Sequence, residues 1–311
     1  MRLDDLEQGG NIEDRRGDSG YGGGGGMPVG AGGLGIGTVI VLGLLAWALG
    51  IDPRLLIGGA EVIGGGGQPQ VRQGPAPTQR TGTPTDEMGR FVDKVLHSTD
   101  VQWKNVFAKE GKTYRTPVLV LYSGGTRAGC GDARSAMGPF YCPLDSKVYL
   151  DTSFFNQLAT RFRGCDLGKS CEFPAAYVIA HEVGHHVQNL LDILPKAQRA
   201  QRSPGRSKAE ANEIQVMVEL QADCFAGVWA RLENDDLQRQ GKPPFIEPGD
   251  VEAALRTAAA IGDDTLQRKA QGYVVPDSFT HGTSEQRQRW FMTGFKAGAI
   301  RACNTFNAAQ L

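Results

Sequence analysis

Residues His181-Glu182-Val183-Gly184-His185 place two imidazoles four positions apart, with a carboxylate directly after the first. An α-helix turns about 100° and rises about 1.5 Å per residue, so on a helix the two histidines share one face and Glu182 flanks it. Neutral imidazole is a good zinc ligand, and a neighbouring carboxylate can take a proton from a metal-bound water without joining the metal. The chemistry that suits this spacing is hydrolysis by an activated water. The competing reading is two histidines one turn apart that bind nothing.

A catalytic zinc ordinarily takes three protein ligands and a water, so a third ligand must come from elsewhere in the fold. Glu219 is the choice. It lies in the apolar run Val216 to Trp229, where an unpaired carboxylate would cost several kcal/mol or be forced neutral. Asp223 shares its helical face and can accept the spare N–H of a ligand histidine. Glu210 and Glu213 are rivals, but they fall in the polar first turn of the same helix, where acids complement the dipole. His281 precedes a Thr283/Gln286 capping box and so sits in a loop, free to donate to the oxyanion of a tetrahedral intermediate or simply to hold that loop. His186 points about 100° away from His185 and reads as structural. His97 shows no chemistry, Asp263 and Asp264 read as cap or turn residues after Gly262, and Tyr141 reads as a core aromatic.

The elements that must carry these residues follow from local pattern. Pro174 suits the first turn of a helix, and Ala175 to Ala180 with Val187 and Leu190 make that helix too apolar to face solvent. Gly184 inside it implies a close approach by another element. Upstream, Asp86 to Phe107 reads as one or two amphipathic helices, Pro117 to Tyr122 as a strand, and Phe140-Tyr-Cys with Lys147 to Leu150 as a hairpin. Asp151-Thr-Ser caps a helix to about Arg161, and further helices are expected over roughly 209–236 and 248–261. Strands first and helices after indicate an α+β fold.

The chain has 311 residues, a formal net charge of −1 and 40% hydrophobic content, enough for a sizeable core. It carries no basic stripe with interleaved aromatics, so nucleic acid is not expected as a partner. About half of the 43 glycines precede residue 70. Four segments are therefore expected: a disordered tail over 1–26, a transmembrane helix over 27–51, a Gly/Pro-rich linker over 52–85 and a folded domain over 86–311. The second of these is long, uncharged and apolar, and the polar residues before it are unlike a signal peptide's short basic leader. All six cysteines follow it. Spacing suggests local pairs Cys130 with Cys142 and Cys165 with Cys171, leaving Cys224 with Cys303, although six cysteines allow fifteen connectivities and buried thiols are the alternative. Together these features point to a single-pass membrane protein whose domain lies outside the cytoplasm.

His181-Glu-Val-Gly-His-His-Val-Gln188, Glu219-Leu-Gln-Ala-Asp-Cys-Phe-Ala-Gly227, Gly262-Asp-Asp264 and Ser278-Phe-Thr-His-Gly-Thr-Ser-Glu-Gln-Arg287 together resemble the bacterial neutral zinc metallopeptidases, membrane-anchored proteins with one N-terminal span. Asn11 to Gly17 and Gly138 to Asp145 extend the resemblance to nearly the whole chain. It implies a zincin-like domain and a gluzincin-like site: His181, His185 and Glu219 as ligands to Zn2+, Glu182 as catalytic acid/base, and Asp223 as support to the ligands.

The expectation is thus a zinc-dependent peptidase acting on a peptide or protein substrate, with Glu182 as general base and His281 as a candidate oxyanion donor. The hairpin's edge strand is a candidate to pair with extended substrate. Two alternatives remain open: an envelope scaffold that keeps the metal without turnover, and a zinc hydrolase of non-peptide amides.

Overall fold

The computed structural model describes residues 1–18, 80–160 and 171–311. Its sheet has the order β2-β1-β3-β7-β6, built from β1 (Ile12–Asp14), β2 (Arg80–Thr81), β3 (Val118–Tyr122), β6 (Phe140–Cys142) and β7 (Lys147–Asp151). β1, β3 and β7 run parallel, while β2 and β6 lie antiparallel at the edges. A two-stranded ribbon, β4 (Gly125–Ala128) with β5 (Gly131–Arg134), leads into β6. The helices are α1 (Glu87–Lys109), α2 (Phe154–Thr160), α3 (Glu172–Leu190), α4 (Ile193–Gln201), α5 (Lys208–Arg239), α6 (Asp250–Ala260), α7 (Asp263–Gln271) and α8 (Ser284–Ala297). The mixed α+β architecture, with a small sheet and a helical remainder, agrees with the sequence-based expectation.

Local chemistry sets the boundaries. Asp86 caps α1 by accepting from the Gly89 N–H at 3.0 Å. Both α5 and α8 begin in full capping boxes, Ser207 with Glu210 and Thr283 with Gln286, which satisfy two otherwise orphaned N–H groups each. The helical core forms around α3 and α5, whose buried apolar residues include Phe173, Tyr177, Val183, Phe225 and Trp229. α8 packs closely on α5 because glycines meet there: a Cβ on Gly294 would stand 1.9 Å from the Cys224 carbonyl oxygen, and one on Gly227 2.0 Å from that of Phe291. Disulfides join Cys130 to Cys142 and Cys224 to Cys303, as the spacing suggested; Cys165 lies outside the described residues.

Two expectations about the N-terminal part are corrected. Residues 1–18 are not a tail. Ile12 is 1% exposed in the core, β1 occupies the inner part of the sheet, and Asp93 on α1 accepts from the Gly9 and Gly10 N–H groups at 3.2 and 2.9 Å. Arg80 and Thr81, expected as linker, likewise form β2.

The single-pass anchor with an extracytoplasmic domain is the second correction. The stretch 27–51 lies outside the described residues, and among the described ones no helix is long and apolar enough to cross a membrane. Asp14, before that stretch, pairs in register with Arg80, after it. A single crossing would put these paired strands on opposite sides of a bilayer. Apolarity and length describe a segment, whereas the destination of its two ends is a tertiary property that hydropathy does not carry.

Candidate metal centre

α3 carries His181, Glu182 and His185, and α5 carries Glu219 and Asp223. The two helices touch where Gly184 faces Ala222: a Cβ at 184 would lie 3.1 Å from the Ala222 carbonyl oxygen and 3.3 Å from its Cβ. That approach is the one the glycine implied, and it carries Glu219 across to the histidines. His181 Nε2 lies 3.2 Å and His185 Nε2 3.6 Å from Glu219 Oε2. One ligand atom from each of the three residues falls within 4.8 Å of the others. Two imidazoles and a carboxylate, converging in a cleft, are the donor set of an open zinc site.

Other groups fix which nitrogen each histidine presents. His181 Nδ1 lies 2.8 Å from Asp223 Oδ1, so it donates there and Nε2 is left for a metal. Asp223 is itself clasped: Tyr177 OH donates to Oδ1 at 2.5 Å, and Arg287 donates from Nη2 to Oδ1 and from Nε to Oδ2, both at 2.9 Å. For His185 the tautomer is set through a relay. The Cys303 carbonyl can only accept, so Gln221 Nε2 donates to it at 2.8 Å and turns its Oε1 towards Gln188. Gln188 Nε2 donates to that oxygen at 3.0 Å and to the Val218 carbonyl at 2.8 Å, which leaves Gln188 Oε1 to accept from His185 Nδ1 at 2.9 Å. The Cys224–Cys303 disulfide anchors the far end of this chain. Gln215, one turn before Glu219, donates to its Oε1 at 2.9 Å and leaves Oε2 for the histidines.

The electrostatics suit a cation. Burial opposes ionisation of Glu219, yet the facing His185 and His181 outweigh it and hold the carboxyl well below its ordinary range. Burial likewise disfavours a charged His181, but Asp223 and Glu219 raise its pKa to about 10. With no metal, His181 therefore holds a second proton that a divalent cation would displace.

Glu182 is 7% exposed, and its carboxylate accepts no hydrogen bond among the described residues. It lines the same cleft, of about 830 Å³, as His181, His185, Glu219 and His281. His281 stands in the loop before α8, as expected. Asp263, read from sequence as a cap or turn, instead organises that loop. Its Oδ2 accepts from the backbone N–H groups of Thr280, His281 and Gly282 at 2.7, 2.6 and 3.1 Å, and its Oδ1 lies 3.2 Å from His281 Nδ1.

The bland readings hold for several other residues. His186 points away from the centre, donating from Nε2 to the Arg115 carbonyl at 2.6 Å and accepting from Tyr141 OH at 3.0 Å; burial lowers its pKa to about 4. Glu210 serves its capping box, and Glu213 does not line the cleft. Tyr177, Gln188, Gln215 and Arg287 were not singled out from sequence. Only Gln188 and Gln215 carried a signal, each a polar residue three or four positions from a candidate ligand on the same helix.

A helical HExxH pair completed by a glutamate from a second helix defines a zinc-metallopeptidase type of site. The chain belongs to the family described as "Putative neutral zinc metallopeptidase", whose sequence model matches residues 1–306. It is 45% identical to the uncharacterized protein YpfJ of Escherichia coli K12 over 98% of this chain and 99% of that one. It is 42% identical to the uncharacterized protein Rv2575 of Mycobacterium tuberculosis H37Rv over 75% of each, and equally to Mb2605 of Mycobacterium bovis. No solved structure matches.

Proposed function

We propose that this protein is a zinc-dependent peptidase, with His181, His185 and Glu219 as metal ligands and Glu182 as the group that moves the proton. The observation that carries the reading is the Glu182 carboxylate, buried without a hydrogen-bond partner among the described residues, in one cleft with the three converging donors. A buried carboxylate kept free of partners is available to a reactant.

A zinc ion held there supplies a local positive charge that acidifies water and polarises a peptide carbonyl. Glu182 accepts the proton as the water attacks and returns it to the leaving amine, so one carboxylate serves as base and then as acid. His281, oriented by Asp263, faces the same cleft and donates to the oxyanion that develops on the carbonyl. Asp223 and Gln188 keep the ligand nitrogens aimed. Strand β6 lies at the edge of the sheet and Phe140 and Tyr141 line the cleft, which supports extended peptide over a compact non-peptide amide.

The test uses the zinc-loaded full chain and Glu182→Gln. Cleavage of a mixed peptide library by the parent, lost by a factor of about 10³ or more in the variant with one zinc still bound per chain, is the expected result. Equal turnover by both proteins, or none by either at full zinc occupancy, defeats the proposal.

A further inference from the structure

We propose that the cleft selects an extended, apolar polypeptide segment, laid along β6 with bulky apolar side chains held against Met137, Tyr273 and Val275 at its rim. The inference rests on the peptidase reading, because the cavity that would take this segment also contains Glu182 and the three candidate ligands.

Among the described residues, five large hydrophobic side chains are exposed: Met137 at 52%, Leu144 at 76%, Tyr273 at 63%, Val274 at 37% and Val275 at 39%. Exposed apolar residues on a soluble surface are ordinarily scattered, whereas a cluster marks a binding surface. Here Met137, Tyr273 and Val275 line the cleft, Leu144 follows the lining Pro143, and Val274 sits between two lining residues. They come from two segments far apart in sequence, the turn region around β6 and the loop between α7 and α8, which the fold brings to the one cleft that holds the metal centre.

The charges point the same way. Asp263 is engaged by His281, and Arg287 by Asp223. Outside these pairs and the metal centre, the charged side chains lining the cleft among the described residues are Arg202 and Lys269, both exposed and both basic. Among the described lining residues, no acid outside the metal centre and the Asp263–His281 pair is offered to a basic substrate residue. The edge strand supplies the remaining element: pairing with β6 fixes an extended backbone, whose alternate side chains then point towards and away from the cleft floor.

The experiment uses full-length, zinc-loaded protein and three labelled peptides of equal length whose central residues are Phe/Leu, Ser or Lys. Binding is read by fluorescence anisotropy on the Glu182→Gln protein, and cleavage on the parent. The Phe/Leu peptide is expected to bind at least about tenfold tighter than the others. Met137→Asp and Tyr273→Asp should each weaken it about tenfold with zinc content unchanged, and Tyr273→Ser should do so without adding charge. Equal binding of all three peptides, or rim variants that bind like the parent, overturns the proposal. So does self-association in sedimentation, or binding to phosphatidylglycerol vesicles, that Tyr273→Asp abolishes while peptide binding persists, since the rim would then serve a second copy or a bilayer. An apolar peptide that is bound but never cut leaves this inference standing and defeats the peptidase reading. Indiscriminate cutting of all three does the reverse.

Discussion

Arg287 and Asp223 meet through two hydrogen bonds of 2.9 Å, both side chains buried, at 3% and 0% exposure. The aspartate they enclose is the one that orients His181. Removing one partner of a buried ion pair strands the other, which typically costs about 3–5 kcal/mol. Arg287→Met should therefore destabilise the metal-free protein by about 3 kcal/mol in urea unfolding. Arg287→Met combined with Asp223→Leu should cost clearly less than the sum of the single changes, because no charge is left unpaired. Additive effects would show that the two residues are not coupled.

The relay from the Cys303 carbonyl through Gln221 and Gln188 gives His185 its tautomer, and it can be cut without touching a candidate ligand. Gln188→Leu removes the acceptor for His185 Nδ1. Zinc affinity, measured by competition with a chelator, should fall about 10- to 100-fold, with the fold intact by circular dichroism. An unchanged affinity would mean that Gln188 merely fills space.

Those two relationships mark the limit of what was legible in the chain. His181, Glu182 and His185 could be read because a helix converts spacing into a shared face. Glu219 and Asp223 could be read because an acid in an apolar run needs a partner. Arg287 is 64 positions from Asp223, and nothing in its local pattern says which carboxylate it meets. β1 was missed for a related reason. Three residues are too few to show a strand period, and its pairing with β3, more than a hundred positions away, is decided by tertiary packing. The membrane expectation failed at the same point, since the register between Asp14 and Arg80 lies outside any hydropathy window.

In the proposed mechanism His281 and Asp263 divide a task. His281→Ala should lower kcat by about 10²–10³ with little change in KM or zinc content, if it donates to the oxyanion. Asp263→Asn keeps an acceptor for the loop but weakens the hold on Nδ1, and should give a smaller loss in the same parameter. A variant of either residue that alters KM alone would assign the pair to substrate binding or loop structure.

The pH dependence of stability should carry the signature of two buried groups that share Tyr114. Burial raises the Asp100 carboxyl to about 7, against the hydrogen bonds it accepts from Tyr114 and Asn11. Burial lowers His186, whose ring packs edge-on to Tyr114, to about 4. An acid whose folded pKa is raised stabilises the fold at low pH, and that contribution is lost as pH climbs through 7. A histidine whose folded pKa is lowered stabilises the fold above its ordinary 6.5, and that contribution is lost as pH falls towards 4. Between about pH 4 and 6.5 the two slopes oppose each other. Asp100→Asn abolishes the first and leaves the second, while its amide oxygen can still accept from Tyr114. The variant should therefore gain stability steadily from pH 4.5 to 6.5, and at pH 7.5 exceed the parent by about 2 kcal/mol, an advantage that shrinks or reverses at pH 4.5. Urea unfolding of both proteins at pH 4.5, 6 and 7.5 measures this directly. A difference between them that is the same at all three pH values would mean that Asp100 is ionised in the folded protein throughout the range.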